Sequence, residues 1–144
     1  MKTVSDVLTH TGARDVFWIP PIATVYEAIQ TMSDRHVGAL PVLQEDHLVG
    51  IISERDYARK VILKDKSSKT TRVSEIMTAD VITVGQDNTV EQCIRLMRKH
   101  HIRHLVVVEE GHVVGMLSQR DLFTEVIDEQ AQTIDQLQHY IRGQ

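Results

Sequence analysis

The sequence predicts an α+β fold in which two repeated β-α-β-β-α units pack sheet to sheet as one pseudo-twofold module. The first observation is an internal repeat, because residues 20–56 align with residues 85–121 without a gap. The second is periodicity: in each copy an apolar stripe at helical spacing precedes two short apolar runs separated by a turn. The third is size. Each half has about 60 residues, too few for a comfortable core of its own, so the halves are expected to share one.

Composition limits the class of protein. The chain has 144 residues, of which 42% are hydrophobic and 25% charged, as expected for one globular domain. A net charge of −4 gives no overall basic field for nucleic acid or an anionic membrane. The single cysteine, Cys93, excludes an internal disulfide and is expected to pack in a helix. No apolar run reaches the roughly 18 residues of a membrane-spanning helix, and the N-terminus lacks a signal-peptide core, so a cytoplasmic location is expected.

The first copy is expected to contain a short helix, a strand, a helix, a hairpin and a second helix. Gly12 breaks the first helix, and Pro20-Pro21 end the first strand. Thr24 and Glu27 have the spacing of a capping box. The predicted elements are a helical turn over 1–8 capped by Ser5, a strand over 16–19, a helix from Thr24, strands over 39–43 and 48–52 joined at Glu45-Asp46, and a helix capped by Ser53.

The second copy repeats this order after a polar, basic linker. Its predicted elements are a helical turn over 74–77, a strand over 81–84, a helix over 89–100, strands over 105–108 and 113–117, and a helix from Ser118. The predicted division of the chain is repeat one at 5–65, linker at 66–73, repeat two at 74–127 and a helical extension at 128–144. A common core is expected to contain Leu40, Val42, Ile51, Leu105, Val107 and Leu117. An apolar stripe through the extension predicts packing on the first copy or on a second subunit.

Each hairpin runs into its helix through the same pattern, Ser-x-Arg-Asp. One interpretation is structural, because Ser followed three residues later by an acidic residue is close to a capping box. The other is an anion site, because a helix N-terminus offers N–H groups and partial positive charge. The Asp could then accept hydrogen bonds from a vicinal diol such as ribose, while the Ser adds a hydroxyl and the Arg donates to phosphate. Repetition of these residue types at identical spacing favours the second interpretation. The candidates are Ser53, Arg55, Asp56, Ser118, Arg120 and Asp121.

A second clue precedes each hairpin. In copy two Arg103 and His104 place two basic side chains at the start of a strand, where copy one has the small, neutral Gly38 and Ala39. The pair is interpreted either as a solvated turn or as a phosphate site in a cleft whose opposite wall is Gly38-Ala39. The second interpretation predicts unequal sites, with stronger phosphate binding on the Arg103 side.

Two other classes of function have weak support. His100, His101 and His104 could be read as metal ligands, but a helix end and a strand start lie among them, and no catalytic pattern accompanies them, so neither a metal nor an enzyme is expected. The basic stretch 60–72 is the only support for nucleic acid, which is not expected as a partner at this net charge. A scaffold that regulates a partner by protein contact alone remains an alternative.

Taken together, these patterns resemble tandem cystathionine-β-synthase (CBS) domains, the pair known as a Bateman module. The matching segments are 50–56 and 115–121, which are similar to the family's Gly-h-x-Thr/Ser-x-x-Asp signature, and 39–42 and 103–107, which are similar to its strand-two motif. The stretch 64–77 resembles the stand-alone bacterial type. Copy two has Val106 where the family often has Pro, and copy one lacks the basic pair.

The resemblance implies a regulatory module that binds AMP, ADP, ATP, NAD(H) or S-adenosylmethionine as a regulatory ligand, with no required cofactor. It implies ribose contacts for Asp56 and Asp121, ribose or phosphate contacts for Ser53 and Ser118, phosphate contacts for Arg103 and His104, and adenine contacts for the backbone near Ile19 and Thr83. It further implies a homodimer paired through helices and an unidentified regulated protein. The expected mechanism is a ligand-driven shift in the relative orientation of the repeats.

Overall fold

A computed structural model describes residues 2–11 and 16–143. The chain forms two small sheets with helices packed around them, and each repeat contributes one antiparallel hairpin. The elements are α1 Val4–Thr11, α2 Val25–Arg35, β1 Ala39–Gln44, β2 His47–Ser53, α3 Glu54–Tyr57 with a π-helical continuation Ala58–Ile62, α4 Val73–Ile76, β3 Thr83–Val84, α5 Val90–His100, β4 His104–Glu109, β5 His112–Ser118 and α6 Gln119–Ile141. This order confirms the predicted repeat and the α+β class.

The equivalent helices α2 and α5 begin and end in the same way. Thr24 accepts a hydrogen bond from the backbone N–H of Glu27 at 3.2 Å, and the Glu27 side chain accepts one back from the Thr24 N–H, which confirms the predicted capping box. At the other end His36 and His101 both adopt the left-handed conformation, with φ of 56° and 54°. These repeated histidines are therefore helix C-caps.

The two hairpins have matching registers. β1 pairs with β2 and β4 with β5, each with a register shift at the equivalent point. The tight turns use positive φ at both central residues, 50° and 66° at Glu45 and Asp46, and 50° and 79° at Glu110 and Gly111. That geometry matches the twist of the flanking strands. Both predicted hairpins are confirmed.

The predicted first strand of each repeat is much shorter than expected. In copy one, residues 16–19 form no strand, and Ile19 alone makes a parallel bridge to Val42. Pro20 follows at once and has no N–H with which to continue a ladder. In copy two the strand is limited to Thr83 and Val84, which pair with β4.

The N-terminal helix differs from the prediction in its start and its length. Its cap is Thr3, whose hydroxyl accepts from the Asp6 N–H at 3.4 Å, so the expected cap Ser5 lies inside the helix. It reaches Thr11 rather than residue 8. Gly12, the expected helix breaker, lies outside the described residues.

The expected common core is wrong: the buried side chains form two clusters, one in each repeat. Leu40 and Val42 belong to one cluster, and Leu105, Val107 and Leu117 to the other. The two sheets nevertheless contact each other through β2 and β5, so the predicted sheet-to-sheet packing of the repeats is retained without one shared cluster of buried side chains. Ile51 was also misassigned, because its neighbour Ile52 is the fully buried residue and Ile51 is half-buried, as alternation along a strand requires.

The short helices α1 and α4 are exchanged between the repeats. Val4, Val7 and Leu8 of α1 pack into the cluster of copy two, and Val73 and Ile76 of α4 pack into that of copy one. Backbone hydrogen bonds fix both contacts, from the Val4 N–H to the Asn88 carbonyl at 2.9 Å and from the Val73 N–H to the Ala23 carbonyl at 2.8 Å. The predicted repeat-one segment thus begins, in space, on the second core. The exchange joins the two small cores into one module.

Candidate functional site between the repeats

A cleft of about 510 Å³ lies where the first Ser-x-Arg-Asp junction meets the start of the second hairpin. Both repeats contribute to its walls. The lining residues are Gly38, Ile51, Ser53, Glu54, Arg55, Asp56, Arg59, Lys60, Thr78, Asp80, Val81, Ile82, His100, His101, Ile102, Arg103 and His104. The cavity is large enough for a nucleotide-sized ligand.

The first wall carries a closed capping box. The Ser53 hydroxyl accepts from the Asp56 N–H at 3.2 Å, and Asp56 Oδ2 accepts from the Ser53 N–H at 3.0 Å. The predicted capping box at this junction is therefore confirmed. The other carboxylate oxygen, Asp56 Oδ1, lies 3.2 Å from Nζ of Lys60, whose side chain is 44% exposed. A ribose diol could replace Lys60 at this oxygen without opening the capping box.

The basic side chains of the cleft come from both walls. Arg103 and His104 line it from copy two, while Arg59 and Lys60 line it from the helix after the junction. Arg55 also lines the cleft, but its Nη1 donates to the His101 carbonyl at 3.1 Å and so links the two repeats in the structure as it stands. The basic side chains of the cleft therefore include two, Arg59 and Lys60, that the sequence did not predict as site residues. Lys60 had a signal, since it is four residues after Asp56 on a helix.

His104 is a largely enclosed titratable group of the cleft. Burial lowers the pKa of this imidazole below its usual value, the Asp121 carboxylate opposes the shift, and the Arg103 cation adds to it. The imidazole is then neutral at pH 7 and acts as a hydrogen-bond donor or acceptor there, whereas Arg103 carries the permanent charge.

Gly38 lies between the first junction and the start of β4. Its carbonyl accepts from the Glu54 N–H at 3.0 Å, just as the Arg103 carbonyl accepts from the Gln119 N–H at 2.8 Å in the second repeat. It also lies against the imidazole of His104. Gly38 lines the cleft as expected, whereas Ala39 is 2% exposed at the start of β1 and is not a lining residue.

Gly50 has a role that the sequence argument did not assign. It lies within β2 rather than in the hairpin turn, and a Cβ built on it would lie 2.6 Å from Met77 Sδ and 3.1 Å from the Thr78 carbonyl oxygen. The same segment is hydrogen-bonded to β2, from the Ile51 N–H to the Thr78 carbonyl at 2.9 Å. The glycine therefore allows the segment that carries Thr78 and Asp80 to reach the cleft.

The remaining predicted site residues lie elsewhere. Ser118 and Asp121 form an equivalent capping box, with the Asp121 N–H 3.1 Å from the Ser118 hydroxyl, at the start of α6. They and Arg120 do not line this cleft, and neither does Ile19. Thr83 is also outside it, but the preceding residues Val81 and Ile82 are part of its wall.

Metal binding and membrane insertion find no support in residues 2–11 and 16–143. Within these ranges no three His, Cys, Asp or Glu side chains are grouped as metal ligands, and no helix has the length and apolar character to cross a bilayer. His101 of the suspected metal motif is the α5 C-cap described above.

Comparisons with known proteins match the whole module. The family model of the CBS domain matches residues 4–63 and 73–128. The CBS domain-containing protein CBSX3, mitochondrial, of Arabidopsis thaliana is 37% identical over 98% of this chain and 72% of its own. A putative signal-transduction protein with CBS domains from Burkholderia ambifaria superposes with a TM-score of 0.86 at 41% identity, covering 90% of this chain and 96% of its own.

An enzyme also matches, through a part of its length. The inosine-5'-monophosphate dehydrogenase of Thermoplasma acidophilum is 35% identical over 77% of this chain but only 22% of its own. That match leaves most of the enzyme without a counterpart here. With two matched domains, the repeat and the shared architecture, the chain belongs to the CBS-domain family and carries the domain in tandem.

Proposed function

We propose that this CBS pair is a regulatory module that binds an adenosine-containing nucleotide in the cleft between its repeats. The candidate ligands are AMP, ADP, ATP, NAD(H) and S-adenosylmethionine. The observation that carries the proposal is the position of the Asp56 carboxylate across one cleft from Arg103 and His104. A diol acceptor and phosphate donors thus face a common volume, which is the chemistry a nucleoside phosphate requires.

In the bound state Asp56 would hold the ribose hydroxyls, with Ser53 beside it. Arg103, Arg59 and Lys60 would hold the phosphates, and the backbone around Val81 to Thr83 would contact the adenine edge. Since the cleft is lined by Asp56 of one repeat and Arg103 of the other, the ligand would favour the relative orientation in which both contacts are made. It can shift that equilibrium only by its difference in affinity for the two orientations.

The second junction supports a second site, at Ser118 and Asp121 with Arg120 beside them and Ile19 as the adenine contact. The residues of copy one that correspond to Arg103 and His104 are the neutral Gly38 and Ala39. This site would therefore hold phosphate more weakly than the first.

The proposed module acts in the cytoplasm, without a cofactor and without catalysis, as a homodimer that regulates a separate protein. The alternative is a ligand-free scaffold that regulates its partner by contact alone. The closed capping box and the Asp56–Lys60 ion pair favour this alternative, because they satisfy the carboxylate without a ligand.

Calorimetric titration of the nucleotide-stripped chain with the five candidate ligands separates the two proposals. The sensor requires at least one to bind in the micromolar range. If none binds at millimolar concentration, the sensor is excluded and the scaffold stands.

A further inference from the structure

The C-terminal half of α6 extends beyond the body of the module. The first turns of this helix are anchored, since Leu122 and Glu125 are buried. From Gln130 to Gly143 every residue is exposed. The exposed apolar side chains along the helix include Phe123, Ile127, Ile134, Leu137 and Ile141.

These five residues follow a heptad repeat. Counting Ile127 as position a places Ile134 and Ile141 at the following a positions, and Phe123 and Leu137 at d. Gln130 occupies the remaining d position. At 100° per residue, the centre of this stripe is about 130° around the helix from the face that Leu122 and Glu125 turn to the core. The stripe is therefore continuous beside the module as well as beyond it.

The residue types identify the occupant of the stripe as another helix of the same kind. Among parallel coiled coils, β-branched Ile at a with Leu at d favours two strands; here all three a positions are Ile, and Leu137 occupies one d position. The flanking e and g positions are uncharged: Thr124, Val126, Ala131, Thr133, Gln138 and Tyr140. Two identical helices can therefore approach without like charges beside the contact, and no flanking charge specifies a different partner.

Gln130 favours the parallel orientation. In a parallel, in-register pair it lies opposite Gln130 of the second copy, and the two amides can hydrogen-bond to each other. In the antiparallel pairing that best overlaps the stripes, Gln130 would lie opposite Ile134 and be buried without a partner, which costs free energy. We infer that α6 forms a parallel, in-register coiled coil with α6 of a second copy of this chain.

The inference does not depend on the nucleotide proposal. The contact covers 19 residues, from Phe123 to Ile141, which is short for an isolated coiled coil. Anchoring of the first turns on the module reduces the entropy that pairing must overcome, because the helix is already formed.

Sedimentation of the full chain tests the pairing. The wild type should be a dimer, and Ile134→Glu should shift the dimer dissociation constant at least 100-fold toward monomer. Gln132→Glu is the matched control, since it introduces the same charge on the opposite face of the same exposed turn. Circular dichroism should show both variants folded. A monomeric wild type, or a dimer that Ile134→Glu leaves intact, would overturn the inference.

Cysteine cross-linking tests the orientation. Ile141→Cys should form a disulfide-linked dimer under mild oxidation, since parallel helices bring the two Cβ atoms together. In the antiparallel pair these positions would be about 27 Å apart, at 1.5 Å per residue. Cys93 should not compete, because it is buried and burial raises the pKa of its thiol to about 11. Gln132→Cys is the control that should not cross-link. Cross-linking of a mixture of Phe123→Cys and Ile141→Cys, without the Ile141→Cys homodimer, would establish the antiparallel pair and refute the inference.

Discussion

Gly38 of the first repeat lies against the imidazole of His104 of the second, so that a Cβ built on Gly38 would be 3.4 Å from both Cε1 and Nε2 of the ring. Gly38 precedes β1, and its carbonyl accepts a hydrogen bond from the N–H of Glu54 at the start of α3. His104 begins β4, and the carbonyl of its neighbour Arg103 accepts one from the N–H of Gln119 at the start of α6. A small residue on one side thus makes room for a large one on the other. The asymmetry seen in the sequence is a packing complementarity at the contact between the repeats.

This contact predicts a non-additive pair of mutations. Gly38→Val should destabilise the fold by about 1–3 kcal/mol, because its methyl groups would displace the His104 ring. The double variant Gly38→Val, His104→Ala should recover a measurable part of that loss. Urea denaturation of the wild type, the two single variants and the double variant gives the coupling energy. Simple additivity within about 0.3 kcal/mol would show that the two side chains do not compete for space.

Gly50 is predicted to be intolerant of a side chain. Gly50→Ala should lower the free energy of unfolding by about 1–3 kcal/mol, because the new methyl group would overlap Met77 and approach the Thr78 carbonyl. Gly111→Asn is a useful comparison, since Gly111 has open space around its Cβ position and a φ of 79° that Asn tolerates better than most residues. Thermal unfolding of both variants checks the prediction. Equal, small losses for both would contradict the close approach at Gly50.

Glu125 is predicted to tie the N-terminal segment to α6. Its carboxylate lies 2.9 Å from both Lys2 Nζ and His10 Nδ1 and is 4% exposed. Burial alone would raise the pKa of Glu125, but the hydrogen bonds from Lys2 and His10 outweigh it and hold the pKa below its usual value. Glu125→Gln should therefore cost about 1–3 kcal/mol at pH 7.

The pH dependence of this loss follows from the direction of the shift. A carboxyl whose pKa is lower in the folded state stabilises the fold above its unfolded pKa and loses that contribution as the pH falls through the folded pKa. The stability difference between wild type and Glu125→Gln should therefore be full at pH 7 and shrink below about pH 4.5. Denaturation between pH 7 and 3 measures it, with Glu129→Gln on the same helix as control. A difference independent of pH would rule out the ionised carboxylate as its source.

The parts of this fold that could be predicted are those with a local signal. Capping boxes, turn residues and the alternation of the hairpins lie within a few residues of one another, so Thr24 with Glu27 and Glu45 with Asp46 were identifiable. The exchange of α1 and α4 could not be predicted. The apolar residues of a single helical turn such as 73–76 indicate that it packs on a core, but they do not indicate which of the two cores.

The candidate site divides in the same way. Comparison of the two copies identified Ser53 and Asp56 by their repetition and Arg103 and His104 by their absence from copy one, and the structure brings these four around one cleft. Their role in binding a ligand remains a prediction. Thr78 and Asp80 could not be found from sequence, because they reach the cleft only through the close approach of their segment to Gly50. The hydrogen bond from Arg55 to the His101 carbonyl could not be predicted either, because it joins residues that are distant in the sequence.

The central claim is that Asp56 is a ribose acceptor and more than a helix cap, and one calorimetric experiment tests it. The tightest-binding nucleotide would be titrated into Asp56→Ala and into Glu27→Ala, which removes the equivalent carboxylate from the α2 capping box outside the cleft. Loss of hydrogen bonds to a charged acceptor, about 1.5–3 kcal/mol, predicts affinity about 10- to 150-fold weaker in Asp56→Ala and unchanged in Glu27→Ala. Undiminished binding to a folded Asp56→Ala variant would contradict the assignment and leave this carboxylate as a helix cap.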